Sequence, residues 1–217
     1  MSDGGYSLPI QTEACLCSEY PLRIVINETQ TVQTVCSPDL LTELILGRLV
    51  TEGYAQSQKD IRMIDIRPNE NLAKVILNRD CRQNELTPLT GIDWEETWIR
   101  VFEERLRRDT GLHKLTHSTH ACFLMWKRQI VAEVEDIGRH NAVDKAIGIA
   151  FRNSIPLGES IIFTTGRMPA DMVKKVIRAR IPVMVSKESP TAEGLGTAKT
   201  YGLTLIGNVK QGQMVLY

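Results

Sequence analysis

Between positions 136 and 145 the chain gathers Asp136, Arg139, His140, Asn141, Asp144 and Lys145. Two acids, an amide and three cationic or titratable groups at this density can hold an anion, or pair among themselves. They sit where an alternating apolar segment, Ile130 to Glu135, gives way to helical periodicity, with Gly138 at the junction. A strand, a glycine turn and a helix point backbone N–H groups and the positive end of the helix dipole at an anion. The motif is therefore expected to hold phosphate. Ion pairing with the neighbouring Arg and Lys is the competing use for Asp136 and Asp144.

Two further turns share that chemistry. Thr164-Thr165-Gly166-Arg167 precedes one helical pattern, and Ser186 to Thr191, with Lys187, Ser189 and Thr191, precedes another. In sheets covered by helices, ligands bind beyond the carboxyl ends of the strands. Three such turns with Arg139, Arg167 and Lys187 suit a polyanion such as a nucleotide. Neither a Walker A loop nor a Gly-x-Gly-x-x-Gly turn is present. His117, His120, Cys122 and His140 are the potential metal ligands, but alternation puts only His120 and Cys122 on one strand face. The His-x-Glu and Pro-Cys-x-x-Cys of zinc deaminases are missing, so no metal is expected.

Cys81 is the candidate nucleophile. Arg79 and Arg82 flank it in a polar loop, and nearby Arg favours the thiolate that attacks and carries sulfur. An exposed cysteine without a role is the alternative. Cys15 and Cys17 form a close pair that could bind metal or reach another thiol, or be incidental. Cys36 and Cys122 read as small core residues.

The elements that position these groups follow from periodicity. Pro21 to Asn27 and Thr29 to Val35 form one hairpin; Ile61 to Ile66 and Leu72 to Leu77 form a second around Pro68 to Asn71. Ser37 caps a helix closed by Gly53, with Leu41, Leu44, Ile45 and Leu49 on its apolar face. Asp93 with Glu96 opens a helix to Arg108, striped by Trp94, Trp98, Val101, Phe102 and Leu106. Strands at Leu115 to Trp126 and Ile130 to Glu135 lead to a helix over Asn141 to Phe151. Strands at Ser160 to Thr164 and Ile181 to Val185 then alternate with helices from Pro169 to Ala179 and from Thr191 to Tyr201. Leu203 to Ile206 and Met214 to Tyr217 close the chain. This alternation predicts an α/β fold with a mixed, mostly parallel sheet.

The 217 residues suit one large domain or a domain with a small appendage. Residues 1–14 read as a flexible leader, 15–92 as an N-terminal α+β subdomain bearing the Cys81 loop, and 93–217 as an α/β cofactor-binding core. Lys plus Arg and Asp plus Glu number 26 each. A net charge of zero argues against a strongly basic nucleic-acid binder. No apolar run is long enough for a membrane helix. The first ten residues lack a secretory pattern, and five scattered cysteines suit a reducing cytoplasm.

Glu133-x-Glu-Asp-Ile-Gly-Arg-His-Asn-Ala-Val-Asp-Lys-Ala-Ile-Gly148 closely resembles the signature of the formate dehydrogenase accessory sulfurtransferase family, FdhD. Glu19-Tyr-Pro-Leu, Asn27, Ser37-Pro-Asp-Leu and Leu44-x-x-Gly-Arg-Leu-Val-Thr-Glu-Gly53 are similar to its N-terminal region. Ser118-Thr-His-Ala121, Thr164-Thr-Gly-Arg167, Ile181-Pro-Val, Ser189-Pro-Thr and Gly202-Leu-Thr-Leu-Ile-Gly207 follow in the family's order, so the similarity spans about residues 13 to 217. The resemblance implies a cytidine deaminase-like three-layer core and a cytoplasmic homodimer. It implies an activity: taking persulfide sulfur from a cysteine desulfurase and passing it to the molybdenum or tungsten bis-pterin guanine dinucleotide cofactor of formate dehydrogenase.

On that resemblance the cofactor, or a GDP-like nucleotide, would contact His120, Asp136, Arg139, His140, Asn141, Asp144, Lys145, Thr165, Gly166, Arg167, Ser189 and Thr191. The last loop, Asn208, Val209, Lys210, Gln211, Gly212 and Gln213, would contact it too. Where the family carries Cys-x-x-Cys, this chain has Cys81 alone, and the Gly-Gly expected before the His is replaced by His117-Ser118-Thr119. One thiolate suffices to hold a persulfide, but a two-cysteine relay would need another thiol close by. A non-catalytic cofactor carrier or chaperone with the same pocket is the second functional expectation. A nucleotide-metabolising enzyme of deaminase-like fold is a third, and it lacks zinc ligands.

Overall fold

The computed structural model describes residues 16–78, 85–108, 111 and 115–217. Ten strands build two sheets. The first has order β2-β1-β4-β3, from β1 (Tyr20–Ile26), β2 (Gln30–Cys36), β3 (Ile61–Arg67) and β4 (Leu72–Leu77). Two antiparallel hairpins are joined by the parallel pair β1/β4. The second sheet has order β10-β9-β8-β7-β5-β6. Its strands are β5 (His120–Trp126), β6 (Gln129–Asp136), β7 (Ser160–Thr164), β8 (Val183–Ser186), β9 (Thr204–Lys210) and β10 (Gln213–Leu216).

The fold is mixed α/β, as the alternation predicts, but parallel pairing does not dominate the larger sheet. Only β7/β8 and β8/β9 are parallel; β5/β6, β5/β7 and β9/β10 are antiparallel. Tight turns are the reason for the two hairpin pairs. Lys127-Arg128 and Gln211-Gly212 have positive φ at both residues, the form whose twist matches a two-residue hairpin and forces the chain to double back.

Among the described residues the α-helices of assigned range are α1 (Leu41–Thr51), α2 (Glu96–Arg108), α3 (Arg139–Arg152), α4 (Ala170–Arg178) and α5 (Ala192–Tyr201). The larger sheet is the middle of three layers. On one face α2 covers Ala121, Phe123, Phe163, Val185 and Ile206, with Phe102 stacked on Phe163 at 5.4 Å between centroids. On the other face α3, α4 and α5 pack over Cys122, Leu124 and Ile162, and α1 extends this core to the first sheet. Helices α1 and α3 cross backbone against backbone. A Cβ on Gly47 would lie 1.7 Å from the Asp144 carbonyl oxygen, and one on Gly148 would lie 1.9 Å from that of Glu43.

Several expected boundaries move. Ser37 does not cap α1, which starts at Leu41 behind Leu40, a residue with φ 52°. The Ser37 hydroxyl instead accepts from the Ile137 N–H, and its backbone N–H donates to Asp136. Gly53 does follow the helix end with φ 83°, as a left-handed C′ residue should. Helix α2 starts at Glu96, three residues after the expected Asp93. Its buried line is Ile99 and Phe102, while Val101 is 42% exposed. Strand β5 begins at His120 rather than Leu115; Leu115 and Thr116 are helical.

Candidate functional site

The signature motif splits according to burial. Asp136, the last residue of β6, is fully buried. Its Oδ1 accepts from the Gly138 N–H at 2.8 Å and from Asn141 Nδ2 at 3.0 Å. Its Oδ2 accepts from the Ser37 N–H at 3.1 Å and pairs with Lys145 Nζ at 2.8 Å. Lys145, also fully buried, reaches Asp39 at 3.1 Å and the Ser37 carbonyl at 3.4 Å. Asn141 donates to the Val35 carbonyl and accepts from Thr34. One turn further along α3, buried Asp144 accepts from the Thr51 hydroxyl at 2.7 Å and from Lys175 Nζ at 2.9 and 3.0 Å. Lys175 also pairs with Glu52 at 3.1 Å. These contacts clamp β2, the 37–39 turn and α1 onto α3 and α4.

Asp136, Asp144 and Lys145 thus meet protein on every side, which is the ion-pairing use the sequence leaves open for the two acids. A buried ion pair is maintained only when its remaining hydrogen-bonding capacity is also met, and that holds here. They fix the strand-to-helix turn from below.

The neighbouring residues face an edge. β6, β7, β8 and β9 all end on the side where β5 begins, so His120 and the three polar turns share one border of the sheet. Direct contacts link them in series. The Arg139 side chain lies against Gly166, where a Cβ would come within 2.9 Å of it. Thr165 donates its N–H to the Ala121 carbonyl, accepts the Ala121 N–H on its hydroxyl, and places that hydroxyl 3.5 Å from His120 Nδ1. Ser186 Oγ donates to the Gly166 carbonyl at 2.7 Å, and Met168 bridges Pro190. Ser189 Oγ donates to Asn208 Oδ1 at 2.9 Å.

Along this edge Arg167, Ser189, Lys210, Gln211 and Gln213 are exposed. Arg139 Nε is buried with no partner among the described residues. Helix α3 begins without a side-chain cap, leaving first-turn N–H groups open, whereas in the first turn of α4 the Met172 N–H donates to Asp171 Oδ1. Thr191 is committed differently: its hydroxyl caps α5 by accepting from the Gly194 N–H. Val209 is 2% exposed, its side chain in the core beneath α2, so only its backbone borders the edge. Gly212 donates its N–H to Glu103 of α2, which anchors the last turn.

His140 points elsewhere, into a cleft of about 500 Å³ between β2, α1, the start of α3, and α4. Its Nε2 lies 3.0 Å from Asp171 Oδ2. Burial lowers its pKa below the ordinary 6.5; Asp171 opposes that, while Lys175 and Arg139 add to it. Burial, the largest single influence, works to raise the Glu52 pKa, but the charge and hydrogen bond of Lys175, with the charges of Arg48 and Arg178, together outweigh it and hold the carboxyl below its ordinary value. Arg48, Glu52, Asp171, Lys174, Lys175 and Arg178 complete the cleft. None is a site residue on the sequence reading: Arg48 and Glu52 stand in the motif that ends at Gly53 without an assigned role, and the others read as ordinary charges on a helix surface.

The cysteines divide by accessibility. Cys36 and Cys122 are buried. Burial raises both thiol pKa values, that of Cys36 to about 11, with Asp136 adding to the effect there. Neither is a thiolate near neutral pH. Cys17 is half-buried, 3.4 Å from the Thr116 hydroxyl. Cys81 and Cys15, and with them the nucleophile reading of the Cys81 loop, lie outside the described residues.

Fold and site together define a three-layer α/β protein with an anion-ready sheet edge and a clamped N-terminal sheet. Residues 17–92 and 77–217 match the model of the FdhD/NarQ family. The chain is 29% identical over 218 residues to the sulfur carrier protein FdhD of Methanothermobacter thermautotrophicus, covering 92% of this chain and 88% of that protein. The protein of the same name from Sulfolobus acidocaldarius is 28% identical, covering 95% and 90%. A crystal structure from Desulfotalea psychrophila, described as a formate dehydrogenase accessory protein, superposes with a TM-score of 0.83 at 28% identity, covering 100% of this chain and 92% of that one. The chain belongs to the FdhD/NarQ family.

Proposed function

We propose that this protein is a sulfur carrier for formate dehydrogenase maturation. It accepts persulfide sulfur from a cysteine desulfurase and delivers it to the molybdenum or tungsten bis-pterin guanine dinucleotide cofactor. The observation that carries this reading is the full-length family match to proteins named as sulfur carriers. The sheet edge supports it with a donor set that suits a polyanion: Arg167 and Lys210 as exposed cations and Arg139 with its unpartnered Nε. Asp136, Asp144 and Lys145 would hold that edge in shape without touching the cofactor.

Sulfur uptake needs an accessible thiolate. Cys81 attacks the outer sulfur of the donor persulfide, and the donor cysteine leaves as its own thiolate, so no oxidant is consumed. Burial of Cys36 and Cys122 leaves Cys15, Cys17 and Cys81, and of these Cys81 is the one flanked by arginines, Arg79 and Arg82, which favour the thiolate. The test is intact-protein mass spectrometry after incubation with a cysteine desulfurase and cysteine. Wild type is expected to gain 32 Da, about the mass of one sulfur atom, and Cys81→Ala to gain none. Equal loading of wild type and Cys81→Ala would end the assignment. The lone Cys81 in place of a Cys-x-x-Cys loop favours a second reading, a cofactor carrier without persulfide chemistry, and wild type failing to load would select it.

A further inference from the structure

The cleft holding His140 lies beside the sheet edge and has an ionic balance that the clamp does not explain. Four cations line it, Arg48, Lys174, Lys175 and Arg178, against two carboxylates, Glu52 and Asp171. Lys175 is committed to Asp144 and Glu52. Arg48 approaches Asp144 only at 3.8 Å. Arg48 Nε and Arg178 Nε are both buried with no partner among the described residues. A buried guanidinium N–H without an acceptor is costly, and here both belong to arginines that line one cavity from different helices, with Glu52 the carboxylate whose charge they share. Gly138, His140 and Asn141, from the uncapped start of α3, line the same cavity.

We propose that this cleft is a binding site for a phosphate group, held by Arg48, Arg178 and Lys174. Guanidinium forks match the oxygens of a tetrahedral oxoanion better than a single carboxylate does. A volume of about 500 Å³ exceeds what a bare ion fills, so the ligand is a phosphate ester whose organic part occupies the remainder. The site needs no persulfide and stands independently of the sulfur-carrier reading. Arg139 and His140 are adjacent in sequence yet serve different compartments: Arg139 packs on Gly166 at the sheet edge, and His140 faces Asp171 in the cleft.

Calorimetric titration of the full-length protein with inorganic pyrophosphate tests this. Arg178→Gln and Lys174→Gln are each expected to weaken binding about tenfold, the scale of one charged hydrogen bond. Lys127→Gln, on the β5–β6 turn, is expected to change nothing. A flat wild-type titration at millimolar pyrophosphate would overturn the site. So would equal losses in all three variants, which would mean general charge screening. Two sources of phosphate are separated by GDP. If GDP displaces pyrophosphate and Arg178→Gln weakens both, the group belongs to a nucleotide. If GDP binds Arg178→Gln undiminished while pyrophosphate does not, it belongs to another phosphate ester. Cys81→Ala should bind pyrophosphate like wild type, so failure of the sulfur assignment would leave this result untouched.

Discussion

Helix α3 sends its charged residues in two directions. Asp136 just before it, and Asp144 and Lys145 within it, turn into the protein and find partners from α1, α4 and the 37–39 turn. Arg139 and His140, in its first turn, face the sheet edge and the cleft, and Arg139 retains a buried donor without an acceptor. The same short stretch therefore supplies a framework and, on the proposed function, a contact surface. The contrast shows that charge density in a motif does not by itself mark ligand contact. What marks it is charge left unsatisfied after folding.

Breaking the framework side should have the largest effect. Lys145→Ala leaves the Asp136 carboxylate buried without its cation, and removing one partner of a buried pair costs about 3–5 kcal/mol. Urea unfolding measures this; a loss under about 1 kcal/mol would place Lys145 outside the clamp. Gly148→Ala is next. Alanine is the better helix former by about 1 kcal/mol, yet its Cβ would lie 1.9 Å from the Glu43 carbonyl oxygen. Backbone cannot yield as a side-chain tip can, so α1 and α3 must separate, with a net loss of about 1–3 kcal/mol. A stabilised variant in the same urea assay would mean that the two helices do not cross this closely.

The two regions were unequally legible in the sequence. Alternation locates most strands within a residue or two, and Ser160–Thr164 to the residue, because apolar side chains must face a core. The residue types of the framework were visible, but its partners were not. Lys175 and Thr51 bond across 124 positions, and no local spacing encodes such a pair. Ser37 misled as a helix cap because its hydroxyl is taken by the Ile137 N–H, 100 residues away. The cleft was invisible for a related reason. Arg48 and Arg178 each sit near a helix C-terminus, where a cation is favourable without any ligand. Only the crossing of α1 and α3 and the placement of α4 bring them to one cavity.

The contact side should respond in binding rather than in stability. Arg167 is exposed, so Arg167→Gln should shift unfolding by less than about 0.5 kcal/mol. On the proposed function it should reduce the rise in melting temperature that GDP produces in wild type. His140 gives the subtlest test. Its folded pKa lies below 6.5, so the imidazole is neutral at pH 7, and the unfolded chain takes up its proton first as pH falls. Protonation therefore removes stability as pH drops below 6.5 and through the folded value. A bound anion opposes this by favouring the imidazolium, so affinity should rise over that same window, about tenfold for each pKa unit of coupling. Asp171, Lys175, Arg139 and Asp144 act on the ring together, and His140→Gln should flatten the profile without moving theirs. Sulfate is the right probe, because its charge stays constant over the mildly acidic range where phosphate changes its own. An unchanged slope in His140→Gln would assign the pH response to another group and separate His140 from the cleft's anion.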